Sequence, residues 1–163
     1  MFKIGECVIH ANHGVCKIDS IENISYDGKS EAYYVLHPVF GNQNNFVLKI
    51  PVSNENYLDS LISESDISEI IKKIILSKDY WNDNPMKRTL EYKTMFQNKD
   101  FVKRGVLIRS INNRKNDNKK LSATDKKIFE NAKVIFYGIC SVVLKMPYDR
   151  VNDFYFGKIY KEQ

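Results

Sequence analysis

The chain has 163 residues, of which 43% are hydrophobic and 28% charged, a balance typical of a globular protein rather than a disordered one. No run of about 18 apolar residues occurs and the first residues lack the apolar stretch of a signal peptide, so we expect no membrane association. The chain contains three cysteines without dense spacing, which argues against a disulfide framework. The sequence therefore predicts a cytoplasmic protein with free thiols.

The net charge of +5 is divided unevenly along the chain. Residues 1–60 contain four lysines and seven acidic side chains, which gives −3, whereas residues 61–163 contain 21 basic and 13 acidic side chains, which gives +8. Between Lys87 and Lys133, 14 basic residues stand against five acidic ones. This asymmetry indicates two modules with different partners. A basic half suits a phosphate backbone, although a solvated, lysine-rich helical surface has the same composition.

Short strands are predicted over the first fifty or so residues. Asp27-Gly28 between two apolar runs is a strong hairpin signal, and residues 40–45 predict a further turn. Pro51 restricts the strand over residues 46–52 to an edge or an end of the sheet. Four or five antiparallel strands of this length predict a small barrel, because closure protects strand edges. We expect a monomer, and an apolar edge over residues 46–50 leaves a dimer as the alternative.

Helical periodicity replaces alternation in the second part of the chain. Capping residues and prolines predict helix starts at Asp66, Pro85, Asp100, Ser122 and Pro147. Residues 112–120 predict a polar loop. The sequence thus predicts a β module plus an all-α module, with a small barrel over residues 1–55, a linker over 56–65 and a compact bundle of about five helices over 66–163.

Two cysteines and two histidines recur at intervals of three residues, as Cys7, His10, His13 and Cys16, and raise the question of a metal site. Positions three apart on a strand point to opposite faces of the sheet. Folding the hairpin about residues 11–14 would pair His10 with Val15 and Ile9 with Cys16. The four side chains would then scatter over both faces, so we expect no metal and no other cofactor.

Trp81 is the only tryptophan and lies in a polar segment just before the most basic part of the chain. Because its neighbours lack apolar periodicity, two interpretations stay open. The ring either packs between helices or is an exposed wedge that enters a minor groove. Sequence patterns typical of catalysis, such as Gly-x-Ser-x-Gly, Walker A and His-Glu-x-x-His, do not occur, so we do not expect an enzyme.

Several short motifs resemble one protein family. In the first module these are Phe2-Lys-Ile-Gly-Glu6, Asn12-His-Gly-Val15, Tyr33-Tyr-Val-Leu36 and Ile50-Pro-Val52. They resemble the amino-terminal, Tudor-like module of CarD/CdnL-like bacterial transcription regulators, which also occurs in the transcription-repair coupling factor. Further along, Asn98-Lys-Asp100 and Leu121-Ser-Ala-Thr-Asp-Lys126 resemble that family's helical segments.

The resemblance implies a non-enzymatic transcription regulator that acts at the nucleoid. Its β module would bind the β subunit of RNA polymerase, on the β1 lobe. Its helical module would contact promoter DNA near the upstream edge of the melted region, where a tryptophan in the minor groove slows collapse of the bubble. The alternative is a free-standing nucleic-acid-binding protein that does not act through RNA polymerase, and the acidic first module speaks against it.

The resemblance also assigns roles to particular residues. It places polymerase contacts at Ile24, Tyr26 and Lys49. Some family members have arginine where this chain has Ile24, so that contact would be lost or replaced. The resemblance implies DNA contacts from Trp81, Lys87, Arg88 and Lys126.

Overall fold

The computed structural model describes residues 1–41, 46–97 and 100–161, and the chain divides into two compact units, Met1–Leu61 and Ile62–Gln163. Within these ranges the first unit is a five-stranded antiparallel sheet and the second contains five helices. This confirms the predicted β module followed by an all-α module. The predicted turn at residues 40–45 and the motif at residues 98–100 lie partly outside the described residues.

The sheet of the first unit is formed by β1 (Cys7–His10), β2 (Gly14–Tyr26), β3 (Lys29–Pro38), β4 (Leu48–Pro51) and β5 (Leu58–Ser60), in the spatial order β4-β3-β2-β1-β5. A 3-10 segment over Val52–Tyr57 connects the two edge strands. Pro51 ends β4 at an edge of the sheet, as predicted, since proline has no N–H for a ladder. The hairpin of β2 and β3 turns at Asp27 and Gly28, whose φ angles of 49° and 73° suit a type I′ turn, so the predicted hairpin is confirmed.

The predicted linker over residues 56–65 is largely structured. β5 pairs with β1 inside this range, and the first helix begins at Glu64. Leu58 explains the strand, because its side chain is 4% exposed and packs in the core of the first unit. A strand of three residues is too short for alternation to reveal it in the sequence.

The first hairpin differs by one residue from the predicted register. The turn takes only residues 11–13, so Ile9 opposes Val15 and His10 opposes Gly14. Gly14, with a φ of 70°, joins the turn to β2. Within the described ranges no group of three or more His, Cys, Asp or Glu side chains could hold a metal ion.

The two cysteines of this hairpin lie on opposite faces of the sheet. Cys16 opposes Val8 on the core face, whereas Cys7 opposes Lys17 on the other face. Burial raises the pKa of the Cys16 thiol to about 12, so this group stays protonated at neutral pH. All three cysteines are free.

The second unit contains α1 (Glu64–Leu76), α2 (Pro85–Gln97), α3 (Phe101–Asn116), α4 (Ala123–Val143) and α5 (Tyr148–Lys161). The predicted starts at Pro85, Asp100 and Ser122 are confirmed, since Pro85 opens α2 and the other two residues cap α3 and α4. The predicted start of α1 is wrong by one turn. Ser63 is the cap, and Asp66 is its capping-box partner three residues on.

The predicted polar loop over residues 112–120 is wrong in its first half, because α3 continues to Asn116. Tertiary hydrogen bonds hold this polar end of the helix. Asn112 Nδ2 donates to Tyr160 Oη at 3.3 Å, and Asn113 Nδ2 donates to Asp79 Oδ2 at 2.7 Å. Packing and long-range bonds override local propensity here.

The core of the second unit lies where α1, α3, α4 and α5 meet. α3 passes close to α1 at Gly105, where a Cβ atom would collide with the side chain of Ile74. Tyr155 of α5 donates a hydrogen bond to the carbonyl of Gly105 at 2.6 Å. In the described part of the chain, no helix is long and apolar enough to cross a membrane.

Candidate functional site

Ile24 and Lys49, two of the residues predicted to contact a polymerase, share one face of the first unit's sheet. Ser20, Glu22 and Ile24 alternate along β2 on the face turned away from the core cluster. Lys49 lies on the same face of β4, because its partner Val35 also opposes Ser20. The backbone at position 26 continues this alternation at the end of β2, while the side chain of Tyr26 is outside the described part.

Polar contacts cross this sheet face. Lys49 Nζ donates to Glu22 Oε2 at 2.9 Å, and both side chains are 47% exposed. Tyr33 Oη donates to Glu31 Oε2 at 3.3 Å, and Ser53 Oγ donates to the other oxygen of Glu31. Exposed pairs of this kind contribute only about 0.2–1 kcal/mol, so the groups can exchange their partners for those of another protein.

Trp81 lies in the segment that joins α1 to α2 and is half-buried. Two guanidinium groups lie over its ring, with Arg88 Cζ 4.1 Å and Arg114 Cζ 3.7 Å from the ring centroid. The indole Nε1 donates to Asp83 Oδ1 at 3.0 Å. The ring is therefore neither a core side chain nor a freely projecting one. Cation–π contacts and one hydrogen bond fix its orientation.

Arg88 occupies a different place from the surface position expected of a DNA contact. Its side chain is buried, with 5% exposure. Nε and Nη2 donate to the two carboxylate oxygens of Asp125 at 2.8 and 2.9 Å, and Nη1 donates to the carbonyl of Asn82 at 2.6 Å. A bidentate guanidinium–carboxylate pair is geometrically specific. The guanidinium group of Arg88 is therefore paired with Asp125 and also packs against the ring of Trp81.

Asp125 connects two helix starts. Besides accepting from Arg88 of α2, its carboxylate accepts from the N–H and the hydroxyl of Ser122 at 3.0 and 2.6 Å in the capping box of α4. Burial alone would raise the pKa of Asp125, but the hydrogen bonds from Arg88 and Ser122 outweigh it and hold the pKa below its usual value. The carboxylate therefore stays ionised and ties α2 to α4.

The segment that carries Trp81 is anchored on α3. Arg109 Nε donates to Asp79 Oδ1 at 2.7 Å, and its other nitrogens donate to carbonyls at the end of α1. Ser110 Oγ accepts from the N–H of Tyr80 at 2.8 Å. These bonds satisfy the end of α1 and fix the backbone on the amino-terminal side of Trp81.

The two predicted DNA-contacting lysines belong to the helix starts that Asp125 joins. Lys87 is exposed in the first turn of α2, and Lys126 is exposed in the first turn of α4. Because Arg88 and Asp125 are their chain neighbours and form an ion pair, the backbones at both lysines lie near each other. Helix amino termini carry partial positive charge, which adds to that of the lysines.

Sequence reasoning missed Arg114 and Asp125 as parts of this site. In the sequence Arg114 falls within the predicted loop over residues 112–120, and only the extension of α3 places its guanidinium group over Trp81. Asp125 carried the signal of a capping box, but nothing in the sequence marks Arg88 as its partner. Such a long-range pair becomes visible only in the folded chain.

The first unit is a small antiparallel β domain with an exposed polar sheet face. Residues 2–62 match the family model described as the CarD-like/TRCF RID domain. This unit is therefore a CarD-like RNA-polymerase-interacting domain, a family of interaction domains and not of enzymes. No curated protein matches the chain.

Proposed function

We propose that the protein is a non-enzymatic transcription regulator of the nucleoid that binds the β1 lobe of the RNA polymerase β subunit and stabilises the promoter open complex. The observation that carries this proposal is the match of residues 2–62 to a polymerase-interacting domain. The uneven charge supports separate partners for the two units, because the acidic first unit suits a protein and the basic second unit suits DNA.

On the polymerase side, the contact surface is the outer face of β2, β3 and β4. Lys49 supplies an exposed ammonium group at the sheet edge, and Ile24 supplies a half-buried apolar contact in the place of an arginine. Tyr26, whose side chain lies outside the described part, remains a proposed contact of this surface on the resemblance alone. Exchange of the weak pair between Lys49 and Glu22 for a pair with the polymerase involves little loss of stability in the first unit.

On the DNA side, Trp81 is the wedge and Arg88 is its support. A ring already fixed by Arg88, Arg114 and Asp83 loses little conformational freedom when it enters a minor groove. Lys87 and Lys126 contact backbone phosphates on either side, which positions the protein without reading sequence. Additional stabilisation of about 1.4 kcal/mol changes the ratio of open to closed complexes tenfold.

The test is the lifetime of the open complex on one ribosomal-RNA promoter with the cognate polymerase. It compares no protein, the wild type, Trp81→Ala, Trp81→Phe and Lys126→Gln. We expect the wild type to lengthen the lifetime, Trp81→Ala to remove most of the gain and Trp81→Phe to restore part of it. Lys126→Gln should weaken the effect most at low salt, and its difference from the wild type should shrink as the salt concentration rises. Lys73→Gln, an exposed lysine of α1, is the matched control for lost charge.

Three results would count against the proposal. If the wild type leaves the lifetime unchanged, open-complex stabilisation is wrong. If Trp81→Ala acts like the wild type, the wedge is wrong while polymerase binding stands. If the protein binds duplex DNA tightly and does not bind the polymerase, the free-standing nucleic-acid-binding alternative is correct.

A further inference from the structure

A groove runs between α1 and α5 in the second unit. Two cavities of about 330 and 270 Å³ share Phe154 and Lys158 as lining residues, so they are neighbours along α5, and together they are called the groove. α5 contributes most of the lining, together with residues from two turns of α1. The lining residues are Ser68, Ile71, Lys72, Asp153, Phe154, Gly157, Lys158 and Lys161.

The groove combines an apolar floor with a basic rim. Ile71 is 6% exposed and Phe154 is half-buried, and both lie in the lining. The rim carries three exposed lysines against one carboxylate, namely Lys72, Lys158, Lys161 and Asp153. Among the described residues none of the three lysines forms an ion pair, so the rim presents a net positive charge above an apolar surface.

Gly157, in the lining of the groove, leaves a gap on the surface of α5. A glycine inside a helix destabilises it by about 0.5–1 kcal/mol relative to alanine. The packing of this chain does not require glycine here, because nothing lies within 4 Å of the place where a Cβ atom would stand. Gly105 shows the contrast, since a Cβ there would collide with Ile74. Gly157 instead leaves the backbone of α5 open to close approach from outside.

We propose that this groove is a docking site for an acidic amphipathic helix of a partner protein. The apolar stripe of that helix packs mainly on Phe154, since Ile71 is almost fully buried, and its backbone approaches α5 most closely at Gly157. Carboxylates beside the stripe pair with the lysines of the rim. Docking of an amphipathic helix in a groove is a common mode of recognition, in which apolar anchors give affinity and rim charges give orientation and speed.

The same surface suits duplex DNA poorly. A duplex presents phosphates but no apolar stripe for the floor that Ile71 and Phe154 form. A protein helix satisfies both the floor and the rim.

The experiment measures binding of a fluorescein-labelled, amidated helical peptide to the full-length protein by fluorescence anisotropy. In this peptide leucine and phenylalanine recur at helical spacing between glutamates. We expect saturable binding, and we expect Lys72→Glu with Lys158→Glu to weaken it at least about tenfold. The control Lys73→Glu with Lys127→Glu changes the net charge equally at exposed lysines outside the groove and should leave most of the affinity.

Gly157 gives a test that does not depend on charge. Gly157→Leu fills the groove and should abolish peptide binding, while the melting temperature should not fall because the new side chain meets open space. The proposal is overturned if the peptide does not bind, if both lysine pairs act equally, or if Gly157→Leu binds like the wild type. It is also overturned if the groove substitutions weaken binding of a duplex oligonucleotide and leave peptide binding unchanged.

Discussion

The two units carry candidate contact surfaces that are built in opposite ways. On the β sheet the contact is an exposed pair, Lys49 with Glu22, each 47% exposed. Around Trp81 the support is a buried pair, Arg88 with Asp125, exposed by 5% and 2%. Water screens the first pair, whereas loss of one partner of the second leaves an uncompensated buried charge. The sheet surface can therefore change without loss of the fold, but the surroundings of Trp81 cannot be separated from the stability of the second unit.

The largest expected effect follows from breaking the buried pair. Asp125→Ala leaves the guanidinium of Arg88 buried without its carboxylate, which typically destabilises a protein by about 3–5 kcal/mol. Trp81 is the only tryptophan, so its fluorescence during urea unfolding reports the second unit selectively. We expect the urea midpoint of this fluorescence to fall steeply in Asp125→Ala, whereas the unfolding of the first unit should be unchanged.

Two variants distinguish the ion pair from the capping box. Asp66 has the same position in the capping box of α1 as Asp125 has in α4, but its side chain is exposed. Asp66→Ala should therefore cost far less stability than Asp125→Ala. The double substitution Arg88→Met with Asp125→Leu should recover most of the loss, because apolar residues often replace a buried pair without penalty. Equal losses for Asp66→Ala and Asp125→Ala would show that capping, and not the pair, dominates.

Acid should reduce the contribution that the Arg88–Asp125 pair makes to the stability of the second unit. Hydrogen bonds from Arg88 and Ser122 hold the pKa of Asp125 below its usual value, so the stabilisation is fully present above the unfolded pKa of about 3.9. It is lost as pH falls through the lower folded pKa. The difference in unfolding free energy between the wild type and Asp125→Asn should shrink as pH falls below about 4. A constant difference down to pH 2 would mean that this carboxylate does not titrate with unfolding.

The local chemistry of turns and caps made much of this fold predictable. Asp27-Gly28 marks its hairpin, and Asp100 and Ser122 mark helix starts, because each acts on neighbouring backbone groups. The predictions were wrong where contacts between residues far apart in the sequence determine the secondary structure. α3 continues past residue 112 because Asn113 reaches Asp79. Leu58 forms a strand because the core of the first unit buries it.

The candidate site also contains residues that stand out in the sequence and residues whose role depends on distant partners. Trp81 stands out in the sequence as the only tryptophan, whereas Lys87 and Lys126 are candidates because of the family resemblance. The burial of Arg88 could not be predicted, since a buried arginine in an ion pair and an exposed arginine facing phosphate look identical in a basic run. Only its partner Asp125 separates the two cases, and that partner lies on another helix.

A smaller effect is expected at the guanidinium group that Arg114 places over Trp81. Arg114→Gln removes a half-buried cation–π contact, which contributes about 0.5–2 kcal/mol. We expect a modest loss of stability and a shift of Trp81 fluorescence as the ring becomes more mobile. Arg150→Gln, at an exposed position of α5, is the matched control. An unchanged emission spectrum in Arg114→Gln would show that Arg88 and Asp83 hold the ring without Arg114.

The smallest effect on stability, and the clearest on binding, should come from the sheet face. Lys49→Glu removes an exposed pair and places two carboxylates together, which should change the unfolding free energy by no more than about 1 kcal/mol. Binding to the cognate RNA polymerase, measured by biolayer interferometry, should nevertheless fall strongly. The charge swap Glu22→Lys with Lys49→Glu restores the internal pair and so restores stability, but it inverts the polarity that a partner meets. If the swap recovers polymerase binding together with stability, the Lys49–Glu22 pair serves the fold and not the partner, and the contrast between the two units disappears.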